Sequence, residues 1–506
     1  MPSLRRPEAP EPLELPARRA LLAGEADVLV VGGGPAGLGA AIGAADAGAR
    51  VILAERYGFL GGNATAALVM PLMSFHTSRD RGLSRKEDFP KANRAENERP
   101  VALLPTDHGP GEPVVAGVLK RLLERLVSVG GAIPPSLSTG YVVPFDPEWF
   151  KLVALQMLDE AGVHYLLHSF ASGVLEERRA AKQVMGAVFE TKSGPVAIRA
   201  RVVVDCTGDA DLAVQAGAPF EMGRADGLAQ PMTLMFRMSE FNRAAFQKYV
   251  AENPTQWRGV HGLWNLVREA TRDGELELPR EDILFFATPH EREVSVNSTR
   301  VTRVLGTDVW DLSYAECVSR HQMREIAEFL HRYVPGFERA YAVQSGVNIG
   351  VRETRRIVGE YQLDAADVLN ARKFDDAIAR GSYPVDIHNP TGSGTLLKRL
   401  PPGEAYDIPL RCLLPQKAEG LLVAGRCISG THEAHSSYRV MPIVMATGQA
   451  AGVCAAIAAR SGQSPRAVPH VQVQAELLRQ GASLRAEVTK GQNRLESARR
   501  AAGNPR

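Results

Sequence analysis

Asp27-Val28-Leu29-Val30-Val31-Gly32-Gly33-Gly34-Pro35-Ala36-Gly37 carries an apolar run straight into a glycine turn, and mostly small residues follow from Leu38 to Gly48. A second apolar run, Arg50 to Ala54, closes on Glu55, 23 positions after Gly32. The pattern predicts strand, glycine turn, helix and strand. In that context the spacing Gly32-x-Gly34-x-x-Gly37 predicts a dinucleotide site. Gly32 permits the tight turn, Gly34 lets the backbone approach a pyrophosphate, and Gly37 lets the helix lie near the strand. The helix N-terminus offers unpaired N–H groups to anionic oxygens, and Glu55 is placed to accept hydrogen bonds from a ribose diol. The alternative is a glycine-rich turn in an ordinary α/β protein.

Two more glycine turns follow strand-like runs: Arg201-Val202-Val203-Val204-Asp205-Cys206-Thr207-Gly208-Asp209-Ala210-Asp211, and Leu421-Leu422-Val423-Ala424-Gly425-Arg426 before an alanine-rich helix. An open loop, Gly61-Gly62-Asn63-Ala64-Thr65, stands just past Glu55. A plain NAD domain has no need of that loop, although the fingerprint alone admits NAD or FAD because both carry an adenosine diphosphate half. Three glycine turns this far apart imply an α/β, Rossmann-like domain with a parallel sheet, assembled from N- and C-terminal segments around a long cofactor.

The expected organisation is a polar leader over 1–24, a first cofactor-domain part over 25–219 with an excursion or lid at 76–112, and an inserted, mainly α+β substrate domain over 220–410. The last cofactor-domain part then covers 411–462, and 463–506 forms a tail, charged beyond about residue 485. Periodicity predicts a helix over 147–162, strands near 163–170, 184–190 and 196–204, strands at Ile283–Ala287 and Arg292–Val296, and a helix from Leu312 to Tyr333. Met441 to Ala459, interrupted by Pro442, Gly448, Gln449 and Gly452, reads as a buried helix rather than a membrane span.

The 59 basic and 57 acidic residues give a net charge of +2 with no long single-sign block, which disfavours a nucleic-acid or anionic-membrane surface. The five cysteines (Cys206, Cys317, Cys412, Cys427 and Cys454) form no CxxC pair, so no disulfide framework or cysteine-ligated metal is readable and a reducing cytoplasm fits. For the same reason Cys206, inside a glycine turn, has no resolving thiol for disulfide chemistry.

Four stretches together carry a family resemblance: Val28 to Arg56, Phe59 to Val69, Ala200 to Pro219, and Leu421 to Gly452. The chain resembles the FAD-dependent oxidoreductase family of the glutathione-reductase-like flavoproteins, related to fumarate reductase flavoproteins and heterodisulfide reductase flavoprotein subunits, over roughly 26–460. The resemblance implies FAD as cofactor. It places pyrophosphate contacts at Gly32, Gly34, Ala36 and Gly37, adenine-ribose contacts at Glu55 and Arg56, and further FAD contacts at Gly61, Gly62 and Asn63. Gly208, Asp209, Gly425 and Arg426 would complete the site, and the helix after Arg439 would aim its positive end at the flavin carbonyl. Two departures stand out. The closely spaced cluster-binding cysteines of heterodisulfide reductase subunits are missing, and Arg426 occupies a position where many relatives carry an acid, so an acceptor for the ribityl hydroxyls must come from elsewhere.

Flavin chemistry needs a proton donor or acceptor near the ring. His432 and His435, in a stretch whose Gly430 suggests a loop, are candidates, His435 as acid or base and equally as a structural histidine; they could also be paired metal ligands, but no third ligand is evident. Arg439 is expected on the flavin side, with a surface salt bridge as the alternative. Arg352, in Val351-Arg352-Glu353-Thr354-Arg355-Arg356, borders the active site if the resemblance holds and is solvated otherwise. Asp386 and His388 are two apart, hence on one face if extended. His76 could approach the flavin and even tether it. The expected activity is two-electron transfer between FAD and a small polar organic substrate at a CH–OH or CH–CH centre; alternatives are an oxygen-using monooxygenase or oxidase and a non-catalytic FAD-binding protein. With no second GxGxxG unit for a nicotinamide, an external electron carrier is a possible partner.

Overall fold

The first strand is longer than its apolar run, spanning Leu21–Val31 in the computed structural model, which describes residues 8, 11–78, 103–105, 108, 109, 111–178, 182–392, 394–485 and 488. Leu21 and Leu22 pair with Val196 and Ala197, so the end of the segment expected as a polar leader belongs to the sheet. Most of the expected excursion at 76–112 and nearly all of the charged stretch beyond 485 lie outside the described residues.

Leu21–Val31 is central. Val51–Ala54 runs parallel to it on one side, Val28 opposite Val51, and Gly194–Asp205 runs parallel on the other, Val31 opposite Asp205. His164–Leu166 extends the sheet beyond Val51–Ala54. The outer edge of Gly194–Asp205 is shared: its first half pairs antiparallel with Lys182–Thr191, and its last residues pair parallel with Leu421–Val423. Strands brought together from opposite ends of the chain thus finish at one edge, where ligands of open α/β sheets bind.

The helix Pro35–Asp46 covers this sheet beside Met441–Ser461. A Cβ on Gly448 would stand 2.0 Å from the Ala36 carbonyl oxygen, and one on Gly452 2.0 Å from that of Ala40. From the other side, a Cβ on Gly39 would stand 2.3 Å from the Met445 carbonyl oxygen. The helices therefore meet backbone to backbone, and their small residues are required by contact. Met441–Ser461 is long and apolar enough to cross a membrane, but it is buried in the core as its interrupted sequence suggests.

A second sheet has the order Tyr341–Ser345, Phe236–Ser239, Glu293–Val296, Ile283–Ala287, His261–Gly262, Trp257–Arg258, antiparallel throughout. Its core packs Phe241, Phe246, Phe285 and Phe337 around Trp257 and also takes in Leu103, Leu104 and Val142. The helix Val309–Tyr333 starts three residues before the expected Leu312 because Asp308 caps it, accepting from the backbone N–H groups of Trp310 and Asp311. The cores divide the chain differently from the expected boundaries. Ile357, Leu363, Ile378 and Ile408 pack with the cofactor-side core, and so do Val473 and Leu477 of the helix His470–Arg479, within the segment expected as a tail.

Gly452→Val tests the helix contact. A side chain there meets a carbonyl oxygen that no rotamer change can move, so stability should fall by about 3 kcal/mol, with loss of bound FAD. Thermal unfolding and the flavin content of the purified variant read both effects.

Candidate active site

The three glycine turns converge on one cleft at the carboxyl edge of the parallel strands. Gly32 adopts φ +102°, and a Cβ on it would stand 2.4 Å from the Cys206 carbonyl oxygen, so only glycine fits where the first and second turns touch. Gly61 donates its N–H to the Gly33 carbonyl at 2.8 Å, which brings the open loop after Glu55 against the first turn. Gly34, with no side chain to cap the helix it precedes, leaves first-turn N–H groups facing the cleft. Of the residues expected at the cofactor, Gly32, Gly34, Ala36, Glu55, Arg56 and Gly62 line this cleft, as do Asn63, Gly208, Gly425, Arg426 and Arg439. Gly37, Gly61 and Asp209 stand behind it and hold the turns in place.

Glu55 accepts from the N–H groups of Gly33 at 2.5 Å and Tyr57 at 2.9 Å. Burial pushes its carboxyl above the usual range despite those donors. Asp205, fully buried, accepts from Thr207 and from the Leu212 and Ala213 N–H groups and so shapes the second turn. Arg426, the residue that departs from the relatives' acid, donates to the Val351 carbonyl at 2.7 Å and to Asp209 at 2.8 Å. An arginine–aspartate pair thus stands at that turn, with the arginine Nε buried and unpartnered. The glycine cradle, the helix N-terminus and the Glu55 carboxylate fit an FAD.

A cavity of about 740 Å³ adjoins the cleft and shares Asn63, Arg426, Arg439 and Met441 with it. The junction is the N-terminus of Met441–Ser461, where Val440 and Pro442 also line the cavity. Asp386 and His388 lie on the strand Val385–His388, so the expected shared face is realised: His388 Nε2 is 3.6 Å from Asp386 Oδ2. Tyr383 donates its hydroxyl to Asp386 at 2.8 Å, and Arg439 Nη2 is 3.8 Å from the same carboxylate. Burial would raise Asp386, but His388, Arg439 and the Tyr383 hydroxyl outweigh it and hold it far below the usual carboxylate range. Burial and the charge of Arg352 push His388 down to about 4, so its ring is neutral near pH 7. Burial and the Asp386 charge push Tyr383 up.

Arg352 also faces this cavity and donates to the Pro231 carbonyl at 2.7 Å and to the Thr233 hydroxyl at 2.5 Å. Both acceptors are neutral. Burial, then Arg439 and Arg300, lower its guanidinium to about 9. Among the described residues five arginines line the cavity, Arg258, Arg352, Arg399, Arg426 and Arg439, against one carboxylate, Asp386.

Other expected residues are placed differently. His432 and His435 lie on a helix, His432–Tyr438, capped by Thr431, rather than in a loop. The whole helix is buried except for Glu433, so His435 lines neither the cleft nor the cavity and is withdrawn as the acid or base. Both its ring nitrogens lack partners, and burial together with Arg356, Arg439 and Arg426 drives its titration well below the ordinary value. His432 Nδ1 is 2.9 Å from Glu353, which also pairs with the buried Arg356, so that stretch is not solvated charge. His76 lines a separate small cavity with His108 rather than the cleft, which removes it as a tether. Sequence reasoning passed over Tyr383, although it stands three residues before Asp386, and Asp211, a cleft carboxylate raised to about 6 by burial and by Asp209 and Asp205.

No curated protein matches the chain. Solved structures with likeness include a geranylgeranyl bacteriochlorophyll reductase-like protein (Ta0516) from Thermoplasma acidophilum, 14% identical over 94% of this chain and 84% of that one, TM-score 0.39. The flavin-dependent brominase Bmp2 is 13% identical over 89% and 83%, TM-score 0.44. The p-nitrophenol 4-monooxygenase PnpA from Pseudomonas putida DLL-E4 is 14% identical over 67% and 70%, TM-score 0.37. Likenesses of this size say nothing of reaction or substrate. The sequence profile described as FAD dependent oxidoreductase matches residues 27–477, the span that builds both the cleft and the cavity, and the chain belongs to that family of flavoenzymes.

Proposed function

We propose that this flavoenzyme oxidises the CH–OH group of a small anionic organic molecule seated in the cavity beside Arg439. The observation that carries the reading is Arg352, a cation facing the cavity with only neutral oxygens as partners. A substrate carboxylate would complete the charge of Arg352 and Arg439, and a guanidinium holds such a group bidentately. FAD, when bound, supplies the two-electron acceptor.

The residues supply the rest. Asp386 stays ionised and orients the Tyr383 hydroxyl and the His388 ring from one carboxylate. With Nε2–H turned to Asp386, the neutral His388 keeps Nδ1 as an acceptor for the substrate hydroxyl proton. An anion beside Arg352 and Arg439 offsets the positive charge that weakens His388 as a base, so the ring takes a proton more readily with substrate present. The backbone N–H groups at the start of Met441–Ser461 favour negative charge at the junction of cleft and cavity.

Anaerobic mixing of the FAD-loaded protein with hydroxy acids should bleach the flavin band near ~450 nm, and neutral polyols should not. Bleaching by polyols alone would overturn the anionic assignment. A flavin that no candidate bleaches would favour FAD binding without turnover.

Arg352→Met should weaken hydroxy-acid binding roughly 10–100-fold, and His388→Asn should slow flavin reduction by roughly 100-fold or more. Stopped-flow traces against acid concentration separate the two effects.

His388 also sets a pH dependence of stability. An unfolded histidine takes its proton near 6.5, the folded ring only at about 4, so between these values the unfolded chain binds the extra proton. The contribution, about 3 kcal/mol, is fully present above pH 6.5 and is lost as pH falls towards 4. The fall in Tm over that window should be shallower in His388→Asn than in the natural chain.

A further inference from the structure

The cavity has a second polar wall that this chemistry does not use. His261, on the inner strand of the hairpin that edges the second sheet, lies directly opposite Arg258 on one side and Leu284 on the other. Directly opposed residues of antiparallel strands project to one face, and all three line the cavity. Phe286, two residues beyond Leu284, continues that face and lines it too. Strand by strand, the wall presents apolar side chains, then an imidazole, then a guanidinium.

The imidazole is held from behind. His261 Nδ1 lies 2.7 Å from Asp282, and Arg280 donates to the same carboxylate at 3.1 Å. Burial would raise Asp282, but the His261 hydrogen bond and Arg280 outweigh it and keep it ionised. An ionised carboxylate at Nδ1 fixes that nitrogen as the N–H and leaves Nε2 for a ligand. The ring edge is braced by Trp264 at 5.6 Å. Arg258 is exposed and brings a full charge to the same face.

The strands of this wall stand apart from the strand beside which Arg352 is anchored. Arg352 is anchored on Pro231 and Thr233, at the entry to Phe236–Ser239, which is three places from His261–Gly262 in the sheet order. Three strand spacings are about 14 Å.

Resting on the assignment of Arg352 and Arg439 to the reacting end, we infer that Arg258 and His261 form a second acidic-group subsite, so that the substrate carries a carboxylate or phosphate at its far end, joined by an apolar stretch that passes Leu284 and Phe286. Neither residue is needed for proton or electron transfer; their role is to select by length and by terminal charge.

Isothermal titration of the FAD-loaded protein with straight-chain monoacids, α,ω-diacids and ω-phosphono acids of increasing length tests this. Beyond a threshold length one doubly acidic series should bind roughly 10-fold or more tightly than monoacids of equal length, and which series leads tells carboxylate from phosphate. That ratio should fall towards one in Arg258→Met, an exposed change compatible with folding, and in His261→Asn. Equal binding of mono- and doubly acidic ligands at every length, or an advantage that survives both substitutions, overturns the subsite. Monoacid binding that is absent, or unchanged in Arg352→Met, overturns instead the assignment of the reacting end, and the subsite with it.

Discussion

The backbone contact between Pro35–Asp46 and Met441–Ser461 sets the distance between the two halves of the catalytic region. Gly448 lies on Ala36 and Gly452 on Ala40, an ascending match that makes the helices parallel. Their N-termini therefore emerge on the same side, one at the first glycine turn and the other where the cleft opens into the cavity. Two parallel helix dipoles side by side repel weakly, and anionic groups at both positive ends offset that repulsion. A pyrophosphate at one end and negative charge at the other suit this geometry, and a single methyl group between the helices would spoil it.

Charge in the cavity follows a related logic. Asp386 serves Tyr383, His388 and Arg439 at once, and its charge also reaches Arg352, where burial, Arg439 and Arg300 outweigh it. Burial and the charge of Arg352 in turn keep His388 uncharged. Glu353, which pairs with both Arg356 and His432, is buried away from both cavities and ties segments together.

The dinucleotide end was legible because backbone contact forces residue identity: no other side chain fits at Gly32 or Gly37, so the spacing announces the turn. Asp386 and His388 were legible by strand alternation alone. His435 misled because a sequence does not show which side of a short helix faces the core, and residues 432 and 434–438 are all buried. The Arg426–Asp209 pair joins positions 217 apart, and the Asp282 that orients His261 is 21 residues away, so neither leaves a local signature. Leu21–Gly24 was hidden for another reason: its side chains lie at the exposed end of a strand, where no burial pattern marks it.

The glycine contact also bears on how the protein is made. Gly39 leaves the ribosome 406 residues before Met445, the residue whose carbonyl it will touch. At ordinary elongation rates of ~5–20 residues per second that interval is roughly 20–80 s. Throughout it the small-residue face of Pro35–Asp46 lacks this partner, and the outer edge of Val203–Asp205 lacks Leu421–Val423 for the 218 residues that separate Val203 from Leu421. The nascent chain thus carries an uncovered helix face, joined later by an open strand edge, and only the arrival of Leu421–Val423 and Met441–Ser461 closes both.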